Sequence, residues 1–266
     1  MEQHGKIPVQ NVIAIIPARL VSTRLANKLL LELGGKPLIL RTLEQTKKVR
    51  HISRVIVATD SEKILQIVEA GGGEAVLTSD THQSGSDRIA EVAETFPENS
   101  IVVNVQGDEP LIPPSTIEAA IAAMLNDGSI QMTTTCEKIE KIEDVISPDV
   151  VKVVVDENDF ALYFSRSPIP FPRDAVKQCG SLEKALRADA TLVSLFRKHT
   201  GLYVYRREFL LRYTKTKQTH LEKTEMLEQL RALETGAKIK VIEVAESSIG
   251  VDTAEDFERA RRLLER

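Results

Sequence analysis

Residues 11–30 read NVIAIIPARLVSTRLANKLL, an apolar run that breaks into a segment carrying Arg19, Arg24 and Lys28 and no glycine. A strand that ends in a positively charged loop is placed to meet an anion. If that anion is a nucleotide phosphate, the familiar glycine-rich cradle is missing and side-chain cations must replace it. Three further runs share the pattern: RVIVATD (54–60), EAVLTSD (74–80) and SIVVNVQGD (100–108) are short, β-branched and apolar, and each passes into polar residues, as buried parallel strands do. Between them lie helical patterns. KPLILRTLEQTKKV places Leu38, Thr42, Leu43, Thr46 and Val49 on one face, and EKILQIVEAGGG ends in glycines able to close a helix. SGSDRIAEVAE follows the third run and PPSTIEAAIAAML the fourth. This alternation predicts an α/β fold, a doubly wound and mostly parallel sheet with helices on both faces and ligands at the carboxyl ends of the strands.

The second half is less regular. VVKVVVDENDFALYFSRSPIPF reads as two strands joined by a polar turn at 156–159, and HTGLYVYRREFLLRY as a strand passing into a helix, which suits an antiparallel extension. Residues 173–198 are polar and weakly periodic, with SLEKALRADA a candidate helix, and read as either a mobile flap or a subunit-contact arm. No repeat, linker or low-complexity tract marks a boundary, so the expected organisation is a short extension, 1–11, and one domain, 12–266.

Composition narrows the function classes. With 266 residues, 42% hydrophobic and 28% charged, the chain matches an ordinary globular protein, and a net charge of −4 argues against a general nucleic-acid binder or a basic membrane-surface protein. Cys136 and Cys179 lack metal-ligand spacing and suggest neither a disulfide framework nor a zinc site. There is no apolar run of about 18 residues to span a bilayer, and the start MEQHGKIPVQ lacks the apolar centre of a signal peptide. The expected location is the cytoplasm.

Arg19, Arg24 and Lys28 are too irregularly spaced for one helix stripe. On a loop wrapped over a strand end they converge on a polyphosphate, arginine supplying a forked donor pair and lysine a point charge; otherwise they form a solvated basic loop. SIVVNVQGDEPLI delivers Asp108 at a strand end, where a carboxylate either bridges a hard divalent cation to phosphate oxygens or satisfies the amides of a turn. Glu109 points elsewhere if the chain stays extended. In IGVDTAEDFERARRLLER, Thr253 and Asp256 form a T-x-x-D capping box, which leaves Asp252 as a second metal ligand or an ordinary helix-entry residue. Ser84 and Asp87 repeat that spacing in SGSDRIAE, at a helix amino terminus that suits an anion, a base edge or a plain cap. YFSRSPIPFPRD, RKHTGLYVYR and EMLEQLRALE add Arg166, His199, Tyr203, Glu228 and Gln229, each individually compatible with a structural role.

In sequence order, IIPARLVSTRL, VATDSE, HQSGSDRIAEV, VNVQGDEPLIP, VKVV, ALYFSRSPIPF, KHTGLYVYR, LEQLRALETGAKIKV and GVDTAED closely resemble the 3-deoxy-manno-octulosonate cytidylyltransferases, the CMP-Kdo synthetases. The match runs from about residue 12 to the last helix and leaves out 1–11 and part of 176–196. It implies a Rossmann-like nucleotide-diphospho-sugar transferase fold and attack by the anomeric hydroxyl of Kdo on the α-phosphorus of CTP. Pyrophosphate leaves, and the CMP-Kdo serves lipopolysaccharide assembly. It also implies Mg2+ as cofactor and a homodimer formed through the antiparallel part, about 150–210. Carried over residue by residue, Arg19, Arg24 and Lys28 hold the triphosphate, Ser22 supports their loop, and Ser84 and Arg88 lie by the cytidine. Asp108 and Asp252 carry the magnesium, and with Arg19 and Lys28 they make the catalytic set. Arg166 and His199 take the sugar carboxylate and hydroxyls, Tyr203, Glu228 and Gln229 its polyol side, and Gln106 also reaches it.

Two departures from the family pattern stand out, the first in the nucleotide loop. Ala26-Asn27-Lys28-Leu29 stands where the family usually has Pro-Gly-Lys-Pro, and Ala254 where it commonly has a proline at a first helical position. Asn27 can replace the glycine because asparagine adopts positive φ more readily than most residues. The rival readings are a cytidylyltransferase for 8-amino-Kdo or another acidic sugar, and a catalytically silent nucleotide-binding homologue. A dinucleotide-dependent oxidoreductase is disfavoured because no G-x-G-x-x-G follows the first strand.

Overall fold

A computed structural model describes residues 11–20, 25–246 and 248–265. The opening run forms β1 (Val12–Ala18), the middle of the parallel core. Its side chains divide between the two faces: Val12, Ala14, Ile16 and Ala18 enter one apolar cluster, and Ile13 and Ile15 the other. A strand buried on both faces needs an unbroken apolar run, and that is what residues 12–18 supply. Around it lie a short hairpin of β2 (Glu32–Leu33) and β3 (Lys36–Pro37), then β4 (Arg54–Thr59), β5 (Glu74–Leu77) and β6 (Ile101–Asn104). β4 and β6 flank β1 in parallel register, Ile15 lying opposite both Ile56 and Asn104, and β5 adds beyond β4.

The other half of the sheet is mixed. β7 (Met132–Lys138), β8 (Lys152–Val155), β9 (Ala161–Ser165), β10 (Arg197–Arg206) and β11 (Ile239–Glu243) complete nine strands, in the order β11-β7-β10-β6-β1-β4-β5 with the β8–β9 hairpin attached to β10. β10 runs antiparallel to β6, β7 and β8, as expected for the extension, and β7 and β11 are parallel. The polar turn at 156–159 forms as expected: Asp156 Oδ1 accepts from the amides of Asn158 and Phe160, and Asp159 takes positive φ.

Helices α1 (Leu38–Lys47), α2 (Glu62–Ala70), α3 (Gly85–Ala93) and α4 (Pro114–Asn126) cover the parallel half. Leu38, Thr42, Leu43, Thr46 and Val49 are all buried, as their spacing predicts. Residues 173–198, left as flap or arm by the sequence, are ordered as helices Arg173–Cys179 and Leu182–Ala188, a 3-10 segment Ala190–Leu195, and the start of β10. Leu186, Val193 and Phe196 there form a small third core with Ile139 and Val145.

Candidate active site

The charged residues gather where β1 and β6 end. Asn27 takes the left-handed conformation, φ 51°, and launches the turn Lys28–Leu30, which aims Lys28 at the end of β6. The asparagine thus does at this point what a glycine would do. Lys28 Nζ lies 2.5 Å from Asp108 Oδ2 and 2.7 Å from Asp252 Oδ1. Burial alone would lower the Lys28 pKa, but the two carboxylates, Asp108 foremost, outweigh it and raise the ammonium above its usual value. Gly107 permits the approach, because a Cβ there would stand 2.9 Å from the Pro17 carbonyl oxygen at the end of β1.

Two carboxylates 144 residues apart in sequence therefore already converge on one cation. That geometry fits a divalent ion such as Mg2+, with the lysine ammonium standing where positive charge belongs. Mg2+ is usually held by one or two carboxylates, waters and substrate phosphates, and among the described residues there is no cluster of three or more His, Cys, Asp or Glu that would enclose a metal entirely.

Arg19, at the exit of β1, has its Nη2 buried with no hydrogen-bond partner among the described residues. Such an unmet donor is uncommon and suits an incoming anion. Ser22 and Arg24 lie outside the described residues. Arg88 departs from expectation. Its side chain is fully buried beneath the loop, its guanidinium 2.7 Å from Asp60 Oδ2 and 2.5 Å from Thr78 Oγ1. Asp60 Oδ1 in turn accepts from the Leu20 amide, so Arg88 fixes the chain just past Arg19 rather than facing a base. Ser84 caps α3: its Oγ accepts from the Asp87 amide and Asp87 Oδ2 accepts from the Ser84 amide, each at 3.1 Å.

Beside this charged end opens a cleft of about 230 Å³ lined by Gln106, His199, Tyr203, Glu228 and Gln229, five of the six residues expected to meet the sugar. The sixth, Arg166, is not among its lining residues. Its guanidinium donates to the carbonyls of Glu225 at 2.7 Å and Pro148 at 2.9 Å, and its amide donates to Glu225 Oε2. Arg166 is thus a strut under the 225–229 wall. Lys152, fully buried on β8, donates to the carbonyls of Ser147, Val150 and Arg166 and ties the same loops together; burial lowers its pKa.

The cleft is lined by hydrogen-bonding side chains. His199 pairs with Thr134 Oγ1 at 2.9 Å and packs edge-on against Phe164, and burial lowers its pKa to about 3, so the ring is neutral. Burial likewise pushes the Tyr203 phenol well above its ordinary value. Glu228 Oε2 accepts from Ser86 Oγ at 2.7 Å, and burial raises its carboxyl against the lowering effects of Ser86 and Arg231. Gln229 Nε2 is buried with no partner among the described residues. Ser86 and Asn104 also line the cleft and were missed by sequence reasoning. Asn104 carried a signal, since it interrupts an apolar strand two residues before Gln106 and so shares its face.

Comparison with known proteins identifies the family. The cytidylyltransferase family model matches residues 13–239. The 3-deoxy-manno-octulosonate cytidylyltransferase of Geobacter sulfurreducens is 48% identical over 254 residues, covering 96% of this chain and 99% of the relative. That of Francisella tularensis subsp. novicida is 48% identical over 256 residues, covering 95% and 98%. A solved CMP:2-keto-3-deoxy-manno-octonic acid synthetase complexed with CTP superposes with TM-score 0.86 at 38% identity, covering 96% and 99% of the two chains. A 4-diphosphocytidyl-2C-methyl-D-erythritol synthase from Anaerococcus prevotii, 18% identical with TM-score 0.60, shares the fold. With near-complete coverage at almost half identity, the chain belongs to the 3-deoxy-manno-octulosonate cytidylyltransferase family.

Proposed function

We infer that this chain is a nucleotidyltransferase that activates 3-deoxy-D-manno-octulosonate with CTP, giving CMP-Kdo and pyrophosphate for lipopolysaccharide assembly. The observation that carries the reading is the meeting of Lys28, Asp108 and Asp252 beside the cleft that His199, Tyr203, Glu228 and Gln229 line, with Gln106, two residues before Asp108, on its wall. In the reaction the anomeric oxygen of Kdo bonds to the α-phosphorus of CTP while the bond from that phosphorus to the bridging oxygen breaks, and the electron pair leaves with pyrophosphate. Such a transfer needs positioning and charge neutralisation more than covalent help from the protein.

Arg19 and Lys28 hold the triphosphate and offset charge on the leaving pyrophosphate. The unmet Nη2 of Arg19 supports this, as does the position of Lys28, which can exchange its carboxylate partners for phosphate. Asp108 and Asp252 hold Mg2+, which when bound neutralises phosphate charge and lowers the pKa of a nearby sugar hydroxyl. His199 orients hydroxyls by hydrogen bonding; with a pKa of about 3 it is too weak a base to take the sugar proton at neutral pH. Gln106, Tyr203, Glu228 and Gln229 select the polyol. Arg166 acts through the wall it braces.

The working form is a homodimer through the antiparallel half, a reading supported by the large apolar side chains of Leu162 and Phe171, 62% and 60% exposed there. The cytoplasm is the proposed location. The deciding experiment is pyrophosphate release from CTP and Mg2+ with Kdo, 8-amino-Kdo and N-acetylneuraminate in parallel, for the wild type and Asp108→Ala. Release with Kdo, reduced about 1,000-fold by the substitution, is expected. Preference for another sugar moves the specificity, and CTP binding without release from any of them favours a silent homologue.

A further inference from the structure

Glu109 is a buried acid with no task in the reaction described above. It is only 8% exposed, although it directly follows Asp108 at the mouth of the charged site. Its surroundings come from two distant parts of the chain. Oε2 accepts a hydrogen bond from Ser248 Oγ at 2.9 Å. Oε1 lies 3.5 Å from where a Cβ on Gly201 would stand, inside the β10 irregularity between His199 and Tyr203, so the absent side chain at 201 leaves room for the carboxylate.

Ser248 stands four residues before Asp252, and this matters because of how Asp252 is delivered. Asp108 follows a strand of the central sheet, but Asp252 sits in a connection that runs from the end of β11 at Glu243 to the helix Ala254–Leu264. A ligand carried on a connection holds its place only if the connection is itself anchored. Among the described residues, ties to the Asp108 loop include the Val251 amide donating to the Asp108 carbonyl at 2.9 Å and Ser248 donating to Glu109. Val251 is fully buried, which pins the nearer tie. Two carboxylates brought together repel unless positive charge lies between them, as the Lys28 ammonium does here, so their separation has to be held against that repulsion.

We propose that Glu109 is a positioning residue for cytidylyl transfer: through Ser248 it latches the segment carrying Asp252 onto the loop carrying Asp108 and sets the separation at which the two carboxylates share a cation. The inference rests on the reading that this pair holds Mg2+. Its effect is on metal capture, and the sugar cleft is left as it is.

The test titrates Mn2+, in place of Mg2+, into the full chain with CTP present and follows free Mn2+ by electron paramagnetic resonance. The variants are Ser248→Ala, Glu109→Gln and Asp108→Ala, with the KM for Kdo and the melting temperature measured alongside. Ser248→Ala is expected to weaken Mn2+ binding about 2- to 10-fold, the worth of one hydrogen bond, with the KM for Kdo unchanged. Glu109→Gln retains an amide oxygen able to accept from Ser248 and is expected to lie closer to the wild type. Wild-type Mn2+ affinity in Ser248→Ala, while Asp108→Ala binds weakly, overturns the latch and leaves the metal reading intact. An equal loss of metal affinity, Kdo affinity and melting temperature in Ser248→Ala also overturns it, in favour of a general packing role. Wild-type protein that binds no Mn2+ with CTP removes the metal reading and the latch together.

Discussion

At the charged end of the site Lys28 lies between two carboxylates 144 residues apart in sequence, whereas at the other end, in the cleft, burial holds His199 and Tyr203 in their neutral forms. The first arrangement stores its charge in internal pairs that ligand charges can replace. The second offers shape and hydrogen bonds with little charge to neutralise. The two ends therefore differ in what a substitution should disturb. At the phosphate end a lost side chain leaves unbalanced charge and acts on nucleotide and metal. At the sugar end it removes a hydrogen bond or a support and acts on sugar binding or on the wall itself.

The largest expected effect that sharpens this contrast is at Lys28. Lys28→Ala should lower kcat/KM about 100-fold, chiefly through CTP, because a charge-assisted contact to the triphosphate is lost. The KM for Kdo should stay within about twofold, since Lys28 is not part of the cleft lining. The variant also leaves Asp108 and Asp252 facing each other without their ammonium, so Mn2+ without nucleotide should bind it more tightly than the wild type. Unchanged CTP kinetics would remove Lys28 from the site, and a matching rise in the KM for Kdo would dissolve the distinction between the two ends.

The sequence announced the charged end more clearly than the supports beneath it. Strand-end residues such as Asp108 follow an apolar run whose alternation sets the fold, and the same run carries Gln106 and Asn104 to the cleft. Arg88 was expected by the cytidine on the resemblance alone. Yet it stands one turn before Val92 on the buried stripe of α3, the one sign in the sequence that it faces inward. Arg166 and Lys152 were less legible still. Their partners are backbone carbonyls at 147–150 and 225, brought near only by the β8–β9 hairpin and the wall, and no local pattern encodes a carbonyl. Glu109 was expected to point away from Asp108; its burial and its hydrogen bond to Ser248 appear only once the segment after β11 is in place.

An intermediate effect is expected at Arg166, where strut and ligand make different predictions. If the guanidinium holds the Pro148 and Glu225 carbonyls, Arg166→Ala destabilises the protein before any sugar is added, by about 1–3 kcal/mol for the carbonyl acceptors it abandons. For a chain of this size that is a fall of roughly 2–10 °C in melting temperature. A direct sugar ligand would leave the melting temperature of the free protein unchanged and raise only the KM for Kdo. Calorimetry of the free protein separates the two, and an unchanged transition would return Arg166 to the sugar.

The smallest expected effect is a titration that fails to occur. An exposed histidine changes charge near 6.5, but burial holds His199 at about 3 in the folded protein. Its ring protons should keep constant chemical shifts from pH 5 to 8. The sign of the linked stability follows from the depressed value. The unfolded chain gains a proton at His199 below about 6.5 and the folded protein does not, so this contribution is complete above 6.5 and is lost as the pH falls toward 3. His199→Gln, which cannot become charged, should reduce the acid sensitivity of unfolding between those limits while weakening Kdo binding. A His199 resonance that titrates near 6.5 would mean that the cleft admits a charged imidazolium. The sugar carboxylate would then have a cationic partner there, and the electrostatic difference between the two ends would be one of degree only.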